Sequence, residues 1–117
     1  MEFLPKSLIL NVATSLMRGW NRMGLIEQIQ VWYASQCNGD WEHQYGVSIE
    51  TLDNPGWYVT VDLFGTSLED IKFQTYHEDK GEEDWIFCEV SGYKFIGRGD
   101  PGKLQTILEI FVSLIGK

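Results

Sequence analysis

Two runs of alternating side chains flank the segment Asp53-Asn54-Pro55-Gly56-Trp57, and their period does not fit a helix. Before it, Val47, Ile49 and Thr51 alternate with Ser48, Glu50 and Leu52. After it, Trp57, Val59, Val61 and Leu63 alternate with Tyr58, Thr60, Asp62 and Phe64. A period of two sends successive side chains to opposite faces of a strand, so both runs read as half-buried antiparallel strands. Asn54-Pro55-Gly56-Trp57 between them predicts a type II turn, with Pro55 setting the first corner and Gly56 taking positive φ at the second. Asp53 is placed to accept hydrogen bonds from the turn amides.

The rest of the chain supplies helices and further strands. Apolar residues at Leu8, Ile9, Val12, Leu16 and Trp20 predict a helix from Ser7 to Trp20. A second stripe, Leu25, Ile26, Ile29, Trp32 and Tyr33, predicts one from Leu25 to Cys37, stopped at Asn38-Gly39 with Gly39 suited to a left-handed cap. Strands are expected over Ile71–Tyr76, Trp85–Val90 and Tyr93–Ile96, with His77–Asp84 as a charged loop. Asp100 as N-cap and Pro101 at the first helical position open the last helix, whose stripe is Leu104, Ile107, Leu108, Phe111, Leu114 and Ile115. The expected fold is α+β: an antiparallel meander sheet of four to five strands, with N-terminal and C-terminal helices packed on one face. A chain of 117 residues supports one core. Residues 1–23 read as an N-terminal helical extension and 24–117 as a single domain.

A net charge of −8 and a pI of about 4.6 argue against nucleic acid and anionic membrane as partners, since both demand clustered Lys and Arg. They favour a basic partner. The apolar stretch from Leu8 to Met17 is shorter than the roughly 20 residues a bilayer span takes. It is interrupted by polar residues and lacks a clear cleavage site, so a cytoplasmic protein is expected. In that compartment Cys37 and Cys88 are expected to be free, buried thiols.

No cofactor or metal is expected. Gly97-Arg98-Gly99-Asp100-Pro101-Gly102 matches the dinucleotide fingerprint letter by letter, but it lacks the βαβ unit and the acidic residue about 20 positions on. It reads better as a glycine-rich turn. Cys88 lies within a strand, with no basic cluster to activate it. Glu42, His43 and Asp53 supply acid–base groups without a recognisable nucleophile or metal spacing, so an enzyme is not the expected reading.

The run from Trp32 to His43 (Trp32-Tyr33-Ala34-Ser35-Gln36-Cys37-Asn38-Gly39-Asp40-Trp41-Glu42-His43), then Tyr45-Gly46-Val47 and Ile49 to Trp57, resembles the immunity protein 53 family. So do Asp62-Leu63 with Gly65-Thr66, Asp84-Trp85-Ile86, and Gly99-Asp100-Pro101-Gly102 before the apolar C-terminal helix. The resemblance begins near Leu25 and leaves residues 1–23 uncovered. It implies a small cytoplasmic α+β protein of a bacterial polymorphic toxin system, which neutralises a cognate toxin by binding it. A nuclease toxin would suit the acidic surface.

The candidate partner-binding residues form two groups. Trp41, Glu42, Asp53, Asn54 and Trp57 make a recognition cluster, since tryptophan is enriched at interface hot spots. Glu78, Asp79, Glu82, Glu83 and Asp84 supply charge. The alternatives are a small-molecule or peptide-binding module with the tryptophans lining a pocket, or a small enzyme using Glu42 and Asp53. An apolar face on the N-terminal helix would allow a homodimer.

Overall fold

The computed structural model describes residues 22–116, so the helix expected over Ser7–Trp20 lies outside the described residues. The chain forms two compact units that divide between Gln44 and Tyr45.

The described part of the first unit holds α1 (Leu25–Gln36) and α2 (Trp41–Gln44). Trp32 faces inward from α1 and is buried, and the Trp41 ring stands edge-on to it at 6.3 Å. Tyr33 lies 5.9 Å from the Trp41 ring, tilted against it. Ile26, placed in the stripe by sequence, is exposed. Trp41–Gln44 forms the short helix α2. It forms because Asn38 Oδ1 accepts the amides of Asp40 and Trp41, and the Glu42 carboxylate accepts those of Asn38 and Gly39. These side chains satisfy backbone donors that a helix start leaves open. Gly39 takes φ +94 as expected, although α1 itself stops at Gln36 with Cys37 as its cap.

The second unit is a five-stranded antiparallel sheet carrying one long helix. Its elements are β1 (Val47–Leu52), β2 (Gly56–Asp62), β3 (Tyr76–Asp79), β4 (Trp85–Ser91), β5 (Lys94–Gly99) and α3 (Leu104–Ile115). The spatial order β1-β2-β5-β4-β3 departs from a sequential meander at one place, because β5 inserts between β2 and β4. The cause lies in residues 63–75. Leu63 and Leu68 are buried, Thr66 Oγ1 bonds back to Leu63 O, and Phe73 packs on Phe95 at 6.4 Å. This segment crosses the core side of the sheet and delivers the chain to the far edge. The strand expected over Ile71–Tyr76 is therefore not a strand until Tyr76. The half-buried Ile71 and Phe73, which suggested one, reflect burial without ladder pairing.

Cross-strand register puts Val59, Val61, Phe95, Gly97, Ile86 and Cys88 on one face, and α3 packs there against β4 and β5. Ile107, Leu108, Phe111 and Leu114 are its buried stripe, with Phe111 5.5 Å from Phe95. Gly97 and Gly99, expected in a turn, belong to β5. A Cβ on Gly97 would run into Ile107 Cγ2, so the helix rests directly on the strand backbone there. Gly97→Ala is expected to cost about 1–3 kcal/mol through overpacking, read as a lower melting temperature.

Two local expectations are corrected. The Asn54–Pro55 peptide is cis, and Gly56 does not have positive φ, so the hairpin connection Asp53–Pro55 is not a type II turn. Gly56 is needed for space instead, since a Cβ there would collide with the Gly99 carbonyl oxygen. At the last helix, Asp100 and Pro101 precede the start by several residues, because α3 begins at Leu104 with Lys103 as its cap. Both cysteines are free thiols. Cys88 is fully buried, and that burial pushes its pKa up to about 12; Cys37 is only half-buried.

Candidate partner-binding surface

One end of the sheet gathers most of the residues singled out from the sequence. The end of β1, the start of β2, the end of β5, the start of β4 and the end of β3 all meet there, as Trp57↔Gly99, Ile86↔Gly99 and Asp79↔Trp85 require. The hairpin tip with Asp53 and Asn54, the β3–β4 turn with Glu82, Glu83 and Asp84, and the Asp100–Lys103 connection therefore share one pole. Asp53, Asn54, Glu82, Glu83 and Asp84 are exposed, as are Glu78 and Asp79 in β3.

The pole is held from below by Asp100, which is 3% exposed. Its Oδ2 accepts from the Trp85 amide at 2.9 Å and from Lys103 Nζ at 2.6 Å, and its Oδ1 accepts from the Gly102 amide at 2.8 Å. Lys103 Nζ also reaches Asp84 Oδ1 at 2.8 Å. Burial pushes the Asp100 carboxyl up, but Lys103 and the two amides together outweigh it and hold the group below its ordinary value. Asp100 and then Asp84 raise the Lys103 ammonium correspondingly. Trp57 is half-buried and its Nε1 donates to Pro101 O at 2.9 Å, tying the hairpin to the same connection. The Asp100–Lys103 pair was missed as a site feature; its only sequence signal was an Asp followed three residues later by a Lys.

Trp41 and Glu42 belong to the first unit, and the other candidates to the second. Trp41 is buried among rings, and the Glu42 carboxylate is engaged by backbone amides. Bonds from its own amide and those of Asn38 and Gly39 hold Glu42 below the ordinary carboxylate value, against a smaller opposing push from burial. A general acid needs the opposite shift. Among the described residues no group of three or more His, Cys, Asp or Glu side chains converges as a metal site would, and no helix is long and apolar enough to cross a membrane.

This end of the sheet displays a set of exposed carboxylates beside the buried Asp100 and the half-buried Lys103 that it binds. The immunity protein 53 family matches residues 26–116. The chain belongs to that family. The match runs through α1, α2, all five strands and α3, so it takes in both described units and the whole acidic pole. Membership supports an immunity role and so a toxin as partner, and it suggests a protein that is not an enzyme. No curated protein and no solved structure matches the chain.

Proposed function

We propose that this chain binds a cognate bacterial polymorphic toxin in the cytoplasm and neutralises it by covering its active site. Family membership carries the immunity role. The acidic pole supports the choice of surface. Glu78, Asp79, Glu82, Glu83 and Asp84 steer a basic toxin face, with Asp53, Asn54 and the Trp57 ring beside them as the less charged contact. Opposite fields raise association rates, while desolvated aromatic anchors slow dissociation. Trp41 and Glu42 act one step back, by shaping the first unit. A nuclease is the toxin chemistry that best suits this charge, because a nuclease must itself present cations to phosphate.

Purified chain mixed with the toxin encoded beside it tests the reading. The expected result is a stable complex on gel filtration and toxin activity that falls to zero at equimolar ratio. Full toxin activity in an excess of the chain, with no complex formed, contradicts it.

A further inference from the structure

The edge strand β3 pairs with β4 alone among the described residues, and its four residues are all exposed. The direction of its open backbone groups follows from one bond. Lys80 N–H donates to Asp84 O at 2.8 Å, which makes Lys80 and Asp84 a hydrogen-bonded pair continuing the β3–β4 register. Antiparallel ladders alternate bonded and non-bonded pairs. Tyr76 and Glu78 therefore turn their N–H and C=O groups toward β4, and His77 and Asp79 turn theirs to the open side. Trp85, opposite Asp79, confirms the parity: its amide and carbonyl are both engaged by Asp100, away from β3.

An open row of backbone donors and acceptors is a template for one more strand. A second copy's β3 is a poor occupant, because both copies carry the same net charge of −8, and an antiparallel register centred on Glu78 or on Asp79 sets that carboxylate against itself. A strand bearing Lys or Arg meets Glu78 on one face and Asp79 on the other, with Glu82 and Glu83 at the end of the edge. Lys80 weakens this field only slightly, since its contact with Glu78 is 3.8 Å long and exposed. The opposite edge, β1, offers one carboxylate, Glu50. We infer that β3 receives an extended Lys- or Arg-bearing segment of the partner as an added outer strand, held by the backbone groups of His77 and Asp79. That the natural donor of this segment is the toxin rests on the function proposed above; the chemistry of the edge does not.

The test uses a synthetic peptide alternating lysine with threonine or valine, its glutamate counterpart, and the isotope-labelled full chain. The His77 and Asp79 amides should exchange fast in the free chain and slow by about tenfold or more with the lysine peptide. His77→Pro should bind that peptide about tenfold more weakly while the chain stays folded, since proline at an edge removes the outward N–H and, besides it, only the exposed ring contact with Phe87. Glu78→Lys with Asp79→Lys, which leaves the backbone alone, should transfer preference to the glutamate peptide. Unchanged exchange at His77 and Asp79 under saturating peptide, no binding at millimolar peptide, or no transfer of preference would overturn the edge site. Each of these can fail while the toxin complex still forms.

Discussion

Asp100→Ala is expected to destabilise the protein by about 2–3 kcal/mol, the range for losing a charged acceptor on which backbone amides depend. For a domain of this size that lowers the melting temperature by about 10 °C. The substitution strands the amides of Trp85 and Gly102, leaves the Lys103 ammonium with Asp84 alone, and loosens the start of β4 from the start of α3. Asp100→Asn keeps an acceptor for the amides and should lose less. The same pair sets a pH window. The Asp100 pKa is depressed by folding, so its contribution is present above the unfolded carboxylate value of about 3.9 and is lost as pH falls below it. The Lys103 pKa is raised, so its contribution is present below about 10.4 and is lost as pH rises beyond. Urea melts across pH should show a plateau between these limits, with the acid limb reduced in Asp100→Asn.

Reversing charge at Glu78, Glu82 and Glu83 together, each to Lys, should slow association with a basic toxin by about tenfold or more at low ionic strength. The gap from wild type should narrow as salt rises, because the screening length falls from about 10 Å at 0.1 M to about 3 Å at 1 M. Stability should change by no more than about 0.5 kcal/mol for each substitution, since all three side chains are exposed. Stopped-flow association over a salt series, with melting curves on the same preparations, checks both halves. Asp84 is left out because its bond to Lys103 would confuse the two effects.

Much of this molecule is legible in the sequence, and what escaped it has identifiable causes. The β1–β2 pairing follows from alternation and the stripe of α3 from its helical period; α1 forms where its period predicts, but of its stripe only Trp32 is buried, and Ile26 and the β1 residue Ile49 are exposed. The place of β5 in the sheet does not follow, since strand order depends on where residues 63–75 cross. Periodicity sees burial at Ile71 and Phe73 but cannot tell whether the buried residue has a ladder partner. Gly56 illustrates a different limit. Its residue type is informative, yet the reason is the closeness of the Gly99 carbonyl, a long-range contact no local pattern shows. Asp100 looked like a helix cap because Asp-Pro usually is one. Here its carboxylate reaches across to the Trp85 amide, 15 positions away in sequence. The candidate site was legible as two separate groups, the hairpin tip and the acidic run. Only strand register places them at one end of the sheet.

Growth of cells expressing the adjacent toxin gives the most direct test of the acidic pole as the neutralising surface. Wild-type chain is expected to restore growth. The Glu78→Lys, Glu82→Lys, Glu83→Lys variant is expected to fail while folding and accumulating normally. Full rescue by that variant, at equal protein level and melting temperature, would contradict the proposal.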